Sequence, residues 1–220
     1  MAKRTPAVGD LSQYGRLAEY NRKRRFDVTP EPPGRAGKKR AARGLEFVVQ
    51  KHRASHLHYD FRIEHEGVML SWAVAKGPSL DPTVRRLAMM TEPHPMDYNQ
   101  FEGVIPEGEY GGGTVMIWDR GTWEPEVPDV TAALAKGDLK FTLHGKKLRG
   151  SWVLVRTRNR QWLLIKHRDR FVATEDLAVT RPLSVVSRRT MAGIARAAGA
   201  TPRQLAVAAA ADPPRPSRTA

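Results

Sequence analysis

The sequence predicts a mainly β protein of about eight short strands, arranged as a small closed barrel or two curved sheets with short helices at the periphery. Three observations carry this. The apolar stretches are short, β-branched or aromatic; turn residues separate them; and none is long enough for an extended amphipathic helix. Closure is favoured because it leaves a sheet without exposed edges.

In chain order, residues 11–20 (LSQYGRLAEY) read as a short helix running into the basic NRKRRF, followed by a Pro/Gly/Lys-rich arm from Thr29 to Lys39. Strands are expected at Glu46–Gln50, His56–His65, Val68–Ala75, Leu87–Thr91, Thr114–Ile117, Leu139–His144, Ser151–Thr157 and Trp162–His167. Glu66-Gly67, Gly145-Lys146 and Arg158-Asn159-Arg160 supply hairpin joints between them. Asp129–Ala135 is the one short helix expected in the body. The triple glycine after Tyr110 is no P-loop, because no Gly-Lys-Ser/Thr follows, so it reads as a tight or closely packed turn. Trp118, Trp123, Trp152 and Trp162 sit beside apolar residues and are expected in the core.

Charge divides the 220 residues more sharply than composition does. The formal charge is +14, yet residues 44–176 carry 18 basic and 18 acidic side chains. The excess lies in residues 1–43, with 12 basic and 4 acidic, and residues 177–220, with 7 and 1. This predicts a basic N-terminal arm over 1–43 partly packed on a barrel, a barrel domain over 44–176, and a basic, Ala/Pro-rich tail over 177–220 that is largely disordered. Such arms suit a polyanion such as nucleic acid, although basic tails also serve solubility alone. The absence of cysteine removes thiol nucleophiles and zinc ribbons and fits a reducing cytoplasm. No stretch resembles a membrane span or a secretory signal, so a cytoplasmic protein without membrane partners is expected.

The chemistry concentrates in 51-KHRASHLHYDFRIEH-65. As a strand, this stretch places His56, His58, Asp60 and Arg62 on one face and Leu57, Tyr59, Phe61 and Ile63 on the other. His52 shares the first face, or folds back to it through a turn at Arg53–Ser55. Two imidazoles and a carboxylate suit a five- or six-coordinate divalent ion, and Arg62 adds a guanidinium fork for an anion. Lys76, Arg85 and Arg86 in a Gly/Pro loop either bring cations to an oxyanion or mark an exposed hairpin loop, and the two prolines around His94 either fix a catalytic or phosphate-binding imidazole or simply end strands.

The order FVVQKHxAxxLHYDFR, SWAVxKGPSLDP, EPHPxDYxxFEGxIPEGxYGGG, WDxGxW and WLLIKHxD resembles the 3′-phosphoesterase domain associated with bacterial ATP-dependent DNA ligase D, over about residues 17–170. The resemblance implies a compact β-barrel whose concave surface holds a Mn²⁺ site, Co²⁺ or another divalent ion being the alternative. His52, His58 and Asp60 would bind the metal. Arg62, His94, Tyr98 and Glu31 would be catalytic, and Arg24, Arg62, Lys76, Arg86 and His94 would hold phosphate. The chain departs from the family pattern at Arg25, which stands where an aspartate is usual, with Asp27 two residues away.

The resemblance further implies a free-standing, nucleoid-associated hydrolase of DNA double-strand break repair by end joining. Its activities would be a 3′-phosphodiesterase that removes a terminal ribonucleoside and a 3′-phosphomonoesterase that leaves a 3′-hydroxyl. The substrates would be DNA 3′ ends on a primer-template or duplex, and the partners a separate DNA ligase and an end-bridging protein. Two other readings stand beside it: a non-catalytic DNA-end binding module of the same fold, favoured by Arg25, and a barrel-type metal-dependent sugar isomerase or oxygenase.

Overall fold

A computed structural model describes residues 16–35 and 44–214. The strands are β1 (Glu46–Arg53), β2 (Leu57–His65), β3 (Val68–Val74), β4 (Arg85–Met90), β5 (His94–Pro95), β6 (Gly103–Ile105), β7 (Gly113–Pro125), β8 (Asp138–Gly145), β9 (Arg149–Arg158) and β10 (Gln161–Lys166). Short helices α1 (Ala18–Arg22), α2 (Val130–Lys136), α3 (Leu177–Thr180), α4 (Met191–Ala197) and α5 (Pro202–Ala209) surround them, with a 3-10 helix at Met96–Gln100. The antiparallel order β1-β2-β3-β4-β10-β9-β8-β7 closes through pairing of β7 with β1, so eight strands form the predicted barrel. β5 pairs with β3 and β6 with β7 outside this ring. All eight predicted strands are present. The 13-residue β7 outruns its prediction because it pairs with β6 at its start, with β1 along most of its length and with β8 at its end.

Turn chemistry sets the pairing. Glu66 and Gly67 both have positive φ, 49° and 77°, as a two-residue hairpin joint demands, and Asn159 at φ 42° turns β9 into β10. Asp129 caps α2 by accepting from the Ala132 N–H at 2.9 Å. Gly113, at φ 146°, runs against β1 so closely that a Cβ would lie 2.0 Å from the Arg53 carbonyl oxygen. The triple glycine is therefore a close-packed turn.

The interior is read from ring contacts across the barrel. Phe61 on β2 stacks on Phe141 on β8 at 5.8 Å between centroids, although these strands are not neighbours in the ring. Trp72, Trp118, Trp123, Trp152 and Trp162 are all buried in this core. Tyr59, Phe61 and Ile63 face inward, as the alternation in β2 predicts.

The C-terminal segment differs from the disordered tail expected over 177–220. Residues 215–220, like 1–15 and 36–43 of the arm, lie outside the described residues. From Leu177 to Ala211, however, the chain contributes Leu177, Met191, Ile194, Ala195, Ala208 and Ala211 to the hydrophobic core. Local signals start the helices: Thr190 caps α4, and Thr201 with Gln204 makes a capping box for α5 behind Pro202. Asp212 then accepts from the N–H groups of Met191 and Ala192 at 2.8 and 3.0 Å, joining the end of one helix to the start of the other. Sparse apolar positions concealed this, since alanines pack by close approach rather than by bulk. Ile194→Ala is expected to lower the unfolding free energy by about 3 kcal/mol in urea titration, whereas a disordered tail would give no change.

Candidate metal centre

The pairing of β1 with β2 builds the site. The register sets His52 opposite His58, Gln50 opposite Asp60 and Val48 opposite Arg62. These residues share the face turned away from the core, so the centre lies on the outer wall of the barrel. The resemblance placed it on a concave surface of the barrel itself. The concavity is instead made by segments laid over the wall: α1 with residues 23–35, β5 and the loop that ends at Gly113. His56, expected on the same strand face, precedes β2 and is exposed. It contributes only its carbonyl.

His52 Nδ1 and His58 Nε2 each lie 3.5 Å from a different Asp60 carboxylate oxygen. The three potential ligand atoms fall within 4.8 Å of one another, which makes a possible metal site. The far nitrogen of each ring is pinned: His52 Nε2–H donates to the Gly111 carbonyl at 2.8 Å and His58 Nδ1–H to the His56 carbonyl at 3.1 Å. Both lone pairs are thereby turned toward Asp60, the orientation that metal-bound imidazoles take from outer partners. Burial opposes ionisation of Asp60, yet the charge of Arg62, 3.2 Å away, holds its carboxyl well below the usual range. The donor set thus fits a divalent cation.

Beside this centre the pocket is cationic. Arg62 donates to Gln50 Oε1, and Gln50 is itself held by the Tyr98 and Phe101 carbonyls. The Arg62 guanidinium carbon lies 4.9 Å from the centre of the Tyr98 ring. Arg24, arriving from the arm, donates from Nε to Glu31 at 2.9 Å, and its guanidinium lies over the Tyr20 ring. Glu92 receives Arg24 and Lys23, at 3.5 and 3.0 Å.

His94 sits between the two guanidiniums, its Nε2 3.4 Å from Arg24 Nη2 and 3.3 Å from Arg62 Nη2. Guanidinium has no lone pair, so Nε2 accepts and Nδ1–H donates to the Glu92 carbonyl at 2.9 Å. Burial, reinforced by Arg62 and Arg24, pushes the imidazole well below its usual range and keeps it neutral.

The pocket of about 230 Å³ is lined by Arg24, Glu31, His52, His58, Asp60, Arg62, His94 and Tyr98, among others. The structure does not bring Lys76 or Arg86 to it. Lys76 is exposed in the loop after β3, and Arg86 shares the inward direction of Ala88 on β4, its Nε buried without a hydrogen-bond partner among the described residues. Arg25 also points away, with Nε 3.1 Å from a carboxylate oxygen of Glu109, so it clasps the arm to the loop beside the pocket. Asp27 is exposed. Sequence reading missed Gln50 and Glu92. Gln50 was legible as the β1 residue two positions from His52; Glu92 acts through Arg24 and Lys23 from the distant arm, which local pattern does not reveal.

Comparison with known proteins places residues 50–156 in register with the DNA Ligase D 3′-phosphoesterase domain. The multifunctional non-homologous end joining protein LigD of Pseudomonas aeruginosa is 52% identical over 182 residues, covering 80% of this chain and 22% of that protein. The proteins of the same name from Mycobacterium bovis and Mycolicibacterium smegmatis are 44% and 38% identical, over 67% and 74% of this chain and 19% and 22% of theirs. The chain thus spans about a fifth of the length of these relatives.

Two outcomes follow from the geometry. Asp60→Asn and His58→Ala are each expected to weaken divalent-cation binding at least 10-fold by calorimetry, and parent-like binding by His58→Ala would remove that ligand. Because His94 is held neutral when folded but protonates at its ordinary pKa when unfolded, it should withdraw stability as pH falls below about 6.5. His94→Gln should flatten that part of the stability–pH curve in denaturant titrations.

Proposed function

Through residues 50–156 the chain belongs to the DNA ligase D 3′-phosphoesterase domain family, and we propose on that premise that it heals DNA 3′ ends by metal-dependent hydrolysis. In a first step, water would cleave the ester between a terminal ribonucleoside and the strand, releasing the nucleoside with a free 5′-hydroxyl and leaving a 3′-phosphate. In a second, water would cleave that monoester to a 3′-hydroxyl and inorganic phosphate. The observation that carries this reading is the convergence of Arg24 and Arg62 on one point beside the His52, His58 and Asp60 cluster.

A divalent ion such as Mn²⁺, held by those three side chains, would neutralise phosphoryl oxygens and acidify a bound water. Arg62 is fixed from two sides, by Asp60 and Gln50, so its guanidinium is already aimed when charge develops on the phosphoryl group. Arg24 is oriented in the same way by Glu31, itself anchored by the Thr29 hydroxyl at 2.9 Å. A phosphate oxygen is a stronger acceptor than imidazole, so substrate would take the donors that rest on His94 Nε2. This favours His94 as a group that aligns the guanidiniums over one that donates a proton. With no serine or cysteine among the residues lining the pocket, attack by water is preferred to a covalent intermediate.

Arg25, turned outward onto Glu109, supports a second reading in which the chain binds DNA ends without turning them over. A Mn²⁺-supplemented assay on primer-templates ending in one ribonucleotide or in a 3′-phosphate decides between them. Product ending in a 3′-hydroxyl is expected. Binding without product would overturn hydrolysis and leave the end-binding module. Arg62→Ala should keep its Mn²⁺ affinity while losing about 100-fold or more in kcat/KM.

A further inference from the structure

Away from the metal centre, the turn between β8 and β9 and the segment after α3 enclose a notch of about 320 Å³. Four of its lining residues are cationic, Lys146, Lys147, Arg181 and Arg188, and none is acidic. Lys147 forms the floor. Its Nζ donates to the Arg181 and Leu183 carbonyls at 2.7 and 2.8 Å and lies 4.3 Å from the centre of the Trp118 ring. Burial, opposed by the charge of Asp119 and assisted by Lys51, Arg181 and Arg188, drives its pKa down to about 7. The nearby Asp119 carboxylate is engaged by the N–H groups of Lys146, Lys147 and Leu148. The ion pair of Arg181 with Glu175 is long, at 3.9 Å, and lies at the exposed surface. Lys146, Arg181 and Arg188 are exposed at the rim.

The position of the notch gives this charge a direction. Its wall residue Val185 donates its N–H to the Ile117 carbonyl at 3.0 Å and packs on Val48, Met69 and Ile117. Val48 belongs to the same outward series as Gln50 and His52. Val48 lies four residue steps along β1 from His52, about 13 Å.

We propose that this notch is a second anion site, which holds backbone phosphates of a DNA duplex whose end is engaged at the metal centre. The choice of end rests on the phosphoesterase reading; the binding itself does not. A site of this kind would retain a duplex whatever its terminal group, while the metal pocket reads the terminus.

The test uses the full chain and a fluorescent 12-base-pair duplex, with binding followed by anisotropy in EDTA from 50 to 300 mM salt. Lys146→Gln with Arg188→Gln should reduce the slope of log affinity against log salt by nearly 2, at about 0.9 per lost contact. Affinity at low salt should fall about 10-fold or more, with an unchanged melting temperature. The charge-keeping pair Lys146→Arg with Arg188→Lys should restore the slope. An unchanged slope in the glutamine variant overturns the proposal. So does saturation of the arginine side-chain NMR signals by inorganic phosphate without any effect of the variant on duplex binding, which would make the notch a free-ion site. If the parent chain hydrolyses nothing yet the slope falls, the notch stands and the phosphoesterase reading fails; hydrolysis with an unchanged slope does the reverse.

Discussion

The antiparallel register between β1 and β2 is the constraint on which the rest depends. A period of two leaves one face of this hairpin apolar and the other chemical, and the register brings His52 across from His58. A shift of one residue would exchange the faces, burying Asp60 and Arg62 among tryptophans and exposing Phe61. The packing of Phe61 against Phe141 across the barrel and the assembly of the metal ligands are therefore one event. Stability of the core and geometry of the site are specified by the same backbone hydrogen bonds.

On that wall the arm completes what the barrel begins. Arg62 belongs to the sheet and Arg24 to the segment laid over it, and neutral His94 keeps the two cations apart. Two guanidiniums facing each other in a buried pocket cost free energy unless acceptors surround them. Here Asp60, Gln50, Glu31 and Glu92 provide those acceptors. The arrangement leaves a pocket poised for an anion, without one being needed for the fold.

Much of this was legible from local pattern. The strands, the inward tryptophans and the face shared by His58, Asp60 and Arg62 follow from alternation and turn residues, which are short-range properties. Two kinds of feature escaped. Contacts between distant segments, such as Arg24 with Glu92 or Arg25 with Glu109, have no local signature. Helices that pack through alanine carry too weak an apolar period to distinguish them from low-complexity chain, although the Thr201 and Gln204 capping box was present to be read. Lys76 and Arg86 show the converse. Their charge and position in a motif pointed to the pocket, but the loop after β3 and the parity of β4 turn them elsewhere.

One bond between the extremes of the domain bears on how it is made. Lys51 is buried, and its ammonium group donates to the carbonyl of Ala211 at 2.6 Å, 160 positions later. During synthesis from the amino end, β1 can meet β2 at once, but it must await β7 to close the ring and the turn after α5 to receive this lysine. Until then the Lys51 ammonium lacks that acceptor. The contact with Ala211 thus forms only after the residues beyond α5 have emerged, although β1 is already paired on both sides once β7 is made.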